Sequence, residues 1–322
     1  MKRGLVIGKF MPVHAGHIAL IQFASSLCDE LIISMSYQED DVIPGQLRFS
    51  WLQEIFKDNP KVKPALVKDD FDDESLAWPD RTRVWAEFLK KRYGKIDVMV
   101  SSEEYGTFLD EHLGAVHIPF DPARKQIPVS ATLIREKPFT YWEYIPAVVR
   151  PYFVKKICFY GPESTGKSVM AKQLAAYYQT EFVPEVAREI VSSNEFTINE
   201  IIKIGYAQTE RIIDKAKTAN KILFCDTDLI TTQIYCRHYL GEVPDVLYEL
   251  EKKITYDQYF LFDIDVPWVG DGMRDLGDSR QVMFEIFKQE LEIRKISYLL
   301  VKGDYKERER FLKSEVNKIV KD

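Results

Sequence analysis

The sequence contains a glycine-rich loop, GPESTGKS, at residues 161–168. An apolar run at residues 157–160 precedes the loop, and the amphipathic stretch VMAKQLAAYY follows it. The spacing G-x-x-x-x-G-K-[ST] between a strand and a helix is typical of a loop whose backbone N–H groups surround a phosphate. We expect Lys167 to neutralise β- and γ-phosphate oxygens and Ser168 to bind Mg²⁺. Because the motif needs a strand before it and a helix after it, this half of the chain is predicted to be α/β.

Short apolar runs alternate with amphipathic helical patterns in both halves of the chain. The runs lie at residues 5–7, 31–33, 96–100, 156–160, 222–225, 259–263 and 297–301. Strands that are apolar on both faces belong to parallel sheets covered by helices, and ligands of such sheets bind at the carboxyl ends of the strands. We therefore predict an α/β fold with two parallel sheets, one in each half.

The length of 322 residues is enough for two domains of ordinary size. A stiff segment rich in proline and aromatic residues lies at residues 136–156 and is the predicted connector. We place the domains at residues 1–145 and 146–322.

Composition excludes several classes of protein. Each half has a net charge of −3, so neither has the excess of basic residues that DNA-binding modules carry, and no DNA partner is expected. The four cysteines form no C-x-x-C pair, which argues against a zinc site or a disulfide framework. No apolar run approaches the length of a membrane span, so we expect a cytoplasmic protein without a membrane partner. The sequence does not determine the oligomeric state, and a homo-oligomer is one of the alternatives.

A second loop, GKFMPVHAGH, follows the first predicted strand and leads into a helix. The unpaired N–H groups at the start of a helix attract anions. Gly8 leaves room for a nucleotide beside the backbone, and the side chains of His14 and His17, three residues apart, can face one ligand. This arrangement predicts a second phosphate site, separate from the loop at residues 161–168.

This decapeptide resembles the G-x-F-x-P-x-H-x-G-H signature of the nucleotidyltransferase superfamily, which has a Rossmann-like fold. The resemblance implies that His17 stabilises the α-phosphate of ATP during adenylyl transfer. The companion motif I-S-x-T-x-x-R is matched at residues 129–135, with Val129 in place of isoleucine. Ser130, Thr132 and Arg135 are then implied to bind phosphate oxygens.

The terminal Arg135 narrows the resemblance to the nicotinamide mononucleotide adenylyltransferases, including archaeal-type enzymes with a basic residue at the position of Lys9. The implied substrates are ATP and nicotinamide mononucleotide, and the implied product is NAD. The loop residues implied to bind the nucleotide are Gly8, Lys9, Phe10, Met11 and His14.

A nicotinamide ring needs an aromatic face, for which Trp78 is the candidate and Trp85 the competitor; simple core packing is an equal alternative for either. Arg48 could contact a phosphate, although a surface role is the plainer interpretation. The acidic run DDFDDE at residues 69–74 is predicted to be a solvated loop.

Charged residues after the phosphate-binding loop occur in the order that a small-molecule kinase would use. Glu185 and Arg188 follow one apolar segment, and Asp226 and Asp228 follow the next. We assign Asp226 to Mg²⁺ and prefer Glu185 over Asp228 as the acceptor of a substrate hydroxyl proton. A glycine-flanked segment at residues 266–280 is typical of a lid. The residues expected to bind the kinase substrates are Gly161, Glu163, Ser164, Thr165, Gly166, Lys167, Ser168, Arg188, Asp228, Trp268 and Arg274.

With both motifs present, nearly the whole chain resembles the NadR-type bifunctional proteins, in which an adenylyltransferase is fused to a ribosylnicotinamide kinase. The resemblance implies phosphorylation of nicotinamide riboside followed by adenylylation of the product. Enteric members carry a helix-turn-helix domain ahead of the adenylyltransferase; because the first strand here is predicted to begin by residue 4, we expect none. Two alternatives stay open: a regulator that senses NAD or ATP, and the same reactions on a riboflavin-type or pantetheine-type precursor.

Overall fold

The computed structural model describes residues 1–73, 75–270 and 275–321. Within them the chain divides into two compact units, Met1–Arg150 and Pro151–Lys321. The division falls a few residues beyond the boundary that we placed at residue 145. Trp142, Ile145 and Val149 are buried, and the Arg150 guanidinium lies 5.3 Å from the Trp142 ring centroid. The Arg150 Nε also donates to the Ile145 carbonyl at 3.0 Å, so these contacts hold the segment before the division in one local structure.

The first unit alternates strands and helices. Its strands are β1 (Arg3–Gly8), β2 (Glu30–Tyr37), β3 (Val62–Lys68), β4 (Val98–Ser101) and β5 (Val116–Pro119). Its helices are α1 (Ala15–Ser26), α2 (Gly45–Phe56), α3 (Trp78–Tyr93), α4 (Gly106–Leu113) and α5 (Ala131–Glu136), with a 3-10 turn at Trp142–Tyr144. The short helix α6 (Arg150–Phe153) begins at the last residue of the first unit and continues into the second.

The five strands form a parallel sheet in the order β3-β2-β1-β4-β5. The chain builds outward from β1 first to one side and then to the other, so the loops after β1 and β4 diverge and leave a crevice at their carboxyl ends. Leu5, Met99 and Leu109 are fully buried in the core below that crevice. The fold therefore brings the GKFMPVHAGH loop to the edge of the sheet where ligands bind.

The second unit repeats this architecture. Its strands are β6 (Lys155–Tyr160), β7 (Phe182–Val183), β8 (Ile222–Asp226), β9 (Gln258–Phe262) and β10 (Tyr298–Val301). Its helices are α7 (Lys167–Tyr177), α8 (Ala187–Ile190), α9 (Ile198–Thr218), α10 (Leu229–Leu240), α11 (Asp245–Glu251), α12 (Arg280–Ile293) and α13 (Tyr305–Ile319), with a 3-10 turn at Gly277–Ser279.

The second sheet is also parallel, in the order β10-β9-β6-β8-β7. The central β6 leads into the phosphate-binding loop, and its neighbours β8 and β9 end beside that loop. Phe159, Phe224 and Phe260 fill the core with no exposed surface. The predicted fold class, two parallel α/β sheets, is confirmed. No helix in the described ranges is long and apolar enough to cross a membrane.

Candidate active sites

A cavity of about 670 Å³ lies at the carboxyl ends of the strands in the first unit. The residues of the two sequence motifs that line it are Gly8, Lys9, Phe10, Met11, His14, His17, Ser130, Thr132 and Arg135. Loops more than 100 residues apart in the sequence thus form one wall. This volume suits a nucleotide-sized ligand.

His14 and His17 stand at the start of α1 with their rings stacked, the centroids 3.8 Å apart. His14 caps the helix, because its Nδ1 accepts the Gly16 N–H at 3.1 Å. Burial, with a smaller effect of the Arg124 guanidinium, lowers the pKa of His14 to about 4. Burial, followed by His14 and Arg124, holds the pKa of His17 well below its ordinary value. Both imidazoles are therefore neutral at pH 7. The His17 ring is hydrogen-bonded to the Pro12 carbonyl, and its buried Nδ1 has no hydrogen-bond partner among the described residues.

The second motif, at residues 129–135, contributes to the same cavity beside the first. Ser130 caps α5, with its hydroxyl accepting the Leu133 N–H at 3.2 Å. The guanidinium of Arg135 donates to the Met11 carbonyl and, at 3.2 Å, to the Thr132 hydroxyl. Arg135 therefore ties the two motifs together while it stays on the cavity wall.

An aromatic corner formed by Trp78, Trp85 and Tyr105 closes one end of the cavity. The Arg81 guanidinium carbon lies 5.1 Å from the Trp78 ring centroid and 5.3 Å from that of Trp85. Trp85 is fixed by a bond from its Nε1 to Asp72 at 2.8 Å, whereas Trp78 is 39% exposed. Both candidate tryptophans line the cavity, and Trp78 has the more accessible face.

Two sequence interpretations need correction here. Arg48 is neither a phosphate ligand nor a surface residue, because it is fully buried, pairs with Asp41 and donates to the carbonyls of Lys9 and Ile43. The run at residues 69–74 is not simply a solvated loop. Asp69 and Asp72 line the cavity, and Asp72 is ion-paired with Arg81. Glu74 lies outside the described residues.

A second cavity, of about 310 Å³, lies over the phosphate-binding loop. Gly166 has a φ of +86° at the start of α7, a backbone conformation that favours glycine, and the Tyr305 ring packs against it. At Gly161, with a φ of +135°, a Cβ would lie 3.0 Å from the Phe262 carbonyl. The chain thus turns as tightly as a phosphate cradle requires.

Side chains of this loop hold it in shape. The Lys167 Nζ donates to the Pro162 carbonyl at 2.7 Å, and the Thr165 hydroxyl donates to the same carbonyl at 2.9 Å. Glu163 accepts the Leu276 N–H at 2.9 Å, and the Ser164 hydroxyl accepts the Val269 N–H at 2.7 Å. Two of the predicted ligand residues therefore connect the loop to the segment predicted to be a lid.

Asp226 and Ser168 fit a magnesium ion. Their side chains are hydrogen-bonded, and the Oδ1 of Asp226 is buried with no partner in the part of the chain that the structure describes. Burial, and next the Glu185 carboxylate, raise the pKa of Asp226 to about 6, and the opposing effect of Lys167 is smaller. No group of three or more metal-ligating side chains occurs among the described residues. Mg²⁺ is usually held by one or two carboxylates together with water and substrate phosphates, so Asp226 and Ser168 would be sufficient protein ligands.

Glu185 and Asp228 have different surroundings. Glu185 lines the cavity and pairs with Arg188, its Oε2 lying 3.0 Å from the Arg188 Nε. Asp228 caps α10: its Oδ1 accepts the Thr231 N–H at 2.9 Å, and its Oδ2 accepts the Tyr259 hydroxyl at 3.0 Å. Both oxygens of this buried carboxylate are engaged and Asp228 is not on the cavity wall. The expectation that Asp228 contacts a ligand is therefore corrected to a structural role.

The segment predicted to be a lid, residues 266–280, contains the last two residues that we expect to bind the kinase substrates, Trp268 and Arg274. Trp268 is not on the cavity wall; its ring packs against Gly277 and its buried Nε1 has no partner among the described residues. The neighbouring Pro267 and Val269 line the cavity instead. Arg274 lies outside the described residues.

Sequence reasoning missed several residues of these sites. Arg124 lines the first cavity with a φ of +48°, and nothing in its local sequence distinguishes it. Arg308 is fully buried, donates to the Thr165 carbonyl and pairs with Asp265, so it anchors the phosphate-binding loop. Thr227 has a φ of +70°, a strained conformation for a β-branched residue, and strain of this kind is common at functional sites.

The second cavity also has an aromatic wall that the sequence did not indicate. Tyr235 and Tyr239 are stacked with their ring centroids 6.4 Å apart, and Phe196 packs edge-on against Tyr239. All three line the cavity. Flat rings of this kind suit an aromatic substrate.

Comparison with known proteins gives a match for each unit. The cytidylyltransferase-like family model matches residues 5–137, and the AAA domain model matches residues 156–308. A protein of Escherichia coli (strain K12), the trifunctional NAD biosynthesis/regulator protein NadR, is 34% identical to this chain over 332 residues, covering 94% of this chain and 79% of the relative. This chain belongs to the NadR family.

Two solved structures of NadR protein share the fold. One, in complex with NAD and AMP-PNP, has a TM-score of 0.82 and 23% identity, covering 99% of this chain and 96% of that chain. The other, in complex with NR, has a TM-score of 0.82 and 22% identity, covering 100% of this chain and 96% of that chain. Membership of the NadR family confirms the predicted class of enzyme, a transferase that combines a nucleotidyltransferase fold with a P-loop kinase fold.

Proposed function

We propose that this enzyme makes NAD in two steps, each on its own sheet. The second unit transfers the γ-phosphoryl group of ATP to the 5′-hydroxyl of nicotinamide riboside, giving nicotinamide mononucleotide and ADP. The first unit then transfers the adenylyl group of a second ATP to that mononucleotide, giving NAD and pyrophosphate. The NAD, AMP-PNP and NR bound to the related NadR structures support these ligands.

Adenylyl transfer needs no covalent intermediate, because the phosphate of the mononucleotide attacks the α-phosphorus of ATP directly. The site must only align the two phosphates and stabilise the charge that develops. The imidazole of His17 and the guanidinium of Arg135 line one cavity for this purpose. The exposed face of Trp78 is available for the nicotinamide ring.

In the second unit, Lys167 and the backbone of the phosphate-binding loop neutralise the β- and γ-phosphates. Bound Mg²⁺, held by Ser168 and Asp226, would offset charge on the transferring phosphoryl group. Glu185 accepts the proton of the riboside hydroxyl, and the wall of Tyr235 and Tyr239 faces the pyridine ring. The observation that carries the proposal is that a NadR-family chain has two cavities, each lined by its own phosphate-binding sequence motif and its own charged side chains.

Incubation of the purified protein with ATP, Mg²⁺ and a panel of nucleosides and mononucleotides tests this proposal. We expect nicotinamide riboside to be phosphorylated and nicotinamide mononucleotide to be adenylylated in preference to riboflavin-type and pantetheine-type precursors. A folded protein that binds NAD or ATP but turns over none of these substrates would favour the regulator alternative.

The proton acceptor of the kinase is open to a direct test. We expect Glu185→Gln to lower the kcat of the kinase by about tenfold or more, because the substituted amide cannot accept the hydroxyl proton. Asp228→Ala should instead lower the free energy of unfolding by about 1 kcal/mol or more through loss of the α10 cap, and the folded fraction should keep most of its kcat. Steady-state kinetics and denaturant unfolding of both variants measure these effects.

A near-normal kcat for Glu185→Gln, together with an inactive but folded Asp228→Ala, would reverse this assignment. Because phosphoryl transfer has a loose transition state, a raised KM with a moderate loss of kcat is consistent with orientation of the hydroxyl by Glu185.

A further inference from the structure

Asp69 lies beside the aromatic corner of the first cavity. It follows β3, and its backbone N–H donates to the Tyr37 carbonyl at 2.8 Å, which fixes the start of the loop. One oxygen of its carboxylate accepts the backbone N–H of Asp72. Because Asp72 in turn accepts the Trp85 Nε1 at 2.8 Å, a chain of hydrogen bonds connects Asp69 to the tryptophan pair.

The other carboxylate oxygen of Asp69, Oδ1, is buried and has no hydrogen-bond partner within the described residues. A buried acceptor without a donor is unfavourable, and such groups in a cavity wall are commonly satisfied by a ligand. Burial also raises the pKa of Asp69, which shows that its charge is poorly solvated. A donor supplied by a ligand would restore the lost solvation.

The other charged groups near this corner are already engaged. Arg81 directs its Nε and Nη2 to the two oxygens of Asp72. The Lys9 Nζ lies 4.0 Å from Asp41 and 3.5 Å from the Gln38 amide oxygen. The corner therefore combines aromatic faces with one acidic oxygen that these cations do not bind.

We propose that Asp69 is a specificity-determining residue of the first cavity, which accepts a hydrogen bond from the carboxamide NH₂ of nicotinamide mononucleotide and repels the carboxylate of nicotinic acid mononucleotide. This inference rests on the adenylyl transfer proposed above. The amide form carries a cationic pyridinium ring and a neutral carboxamide, so an acidic oxygen attracts both. The acid form carries a carboxylate in place of the carboxamide, and the two anions repel each other.

The test compares the two mononucleotides with the full-length protein. Pyrophosphate release with ATP gives kcat/KM for nicotinamide mononucleotide and for nicotinic acid mononucleotide, and their ratio measures the preference. We expect wild type to prefer the amide form and Asp69→Asn to lower the ratio about tenfold or more, because an amide in place of the carboxylate also offers a donor to the acid form. Asp69→Ala, which removes both the charge and the acceptor, should lower the ratio in the same direction.

Asp70→Asn is the matched control, because it removes the same charge from an exposed neighbour that does not line the cavity. Its ratio should stay within twofold of wild type. Both rates are measured on one preparation, so a reduced folded fraction cancels from the ratio.

Three results would overturn the inference. An unchanged ratio in both Asp69 variants would remove the role of Asp69, and equal use of both mononucleotides by wild type would remove the preference itself. Turnover of neither mononucleotide by folded wild type would contradict the proposed adenylyl transfer, and the inference with it.

Discussion

Lys167→Ala should abolish phosphorylation of nicotinamide riboside and leave adenylyl transfer to nicotinamide mononucleotide within about twofold of wild type. The Lys167 side chain lies in the phosphate-binding loop of the second unit, whereas the first cavity is built from residues of the first unit alone. Removal of one charged donor to a transferring group typically lowers kcat about 10²- to 10³-fold. The loss should therefore appear in kcat for the kinase.

Lys172→Ala is the matched control for this variant, since Lys172 is an exposed residue of the same helix, α7. It should retain both activities. Simultaneous loss of both activities in a folded Lys167→Ala protein would contradict two independent sites.

His17→Ala should lower adenylyl transfer about 10²- to 10³-fold, by analogy with removal of a single donor from an oxyanion hole. The pKa of His17 lies well below its ordinary value, so the imidazole is neutral at pH 7 and has a single N–H, which must leave the Pro12 carbonyl to donate to the phosphate. His14 is held in place as the cap of α1, with its Nδ1 accepting the Gly16 N–H at 3.1 Å, so we expect it to stay at the helix start and not to take over the position of His17. Initial rates with saturating ATP and nicotinamide mononucleotide measure the effect.

The kinase rate of the same His17→Ala preparation serves as the internal control and should be unchanged. Adenylyl transfer within threefold of wild type would exclude the proposed role of His17.

The architecture could be predicted well from the sequence because each phosphate-binding motif directly follows a central strand of its sheet. The strands β1 and β6 are nearly continuous apolar runs, and each leads into a glycine-containing loop whose type is recognisable. The edge strands β3 and β5 were missed. β3 (VKPALVK) contains a proline, and only Val62 and Val67 of its seven residues are buried. None of the four residues of β5 (VHIP) is buried, so neither strand has the continuous apolar run of a central strand.

In the candidate sites, too, residues of local sequence motifs could be predicted, whereas roles that depend on tertiary contacts could not. Motif residues such as His17, Arg135 and Lys167 lie on the two cavity walls, because a local pattern fixes both their backbone and their direction. Asp228 and Arg48 look functional in sequence, yet tertiary contacts use their charges for capping and for a buried ion pair.

Arg124 and Asp69 look unimportant in the sequence, yet both line the first cavity. Their importance depends on which cavity their loops reach, and no short-range pattern encodes that position. Asp69 was assigned to a solvated acidic run because charge runs are usually exposed, whereas β3 ends at the cavity and turns this residue inward.

The most direct test of two consecutive reactions is the product balance in one vessel. Wild-type protein is incubated with nicotinamide riboside, excess ATP and Mg²⁺, and the nucleotides and pyrophosphate are quantified over time. Our account predicts transient nicotinamide mononucleotide followed by NAD, with one ADP and one pyrophosphate formed for each NAD. If neither nicotinamide mononucleotide nor NAD formed, or if NAD appeared without matching ADP, the proposed pair of reactions would be contradicted.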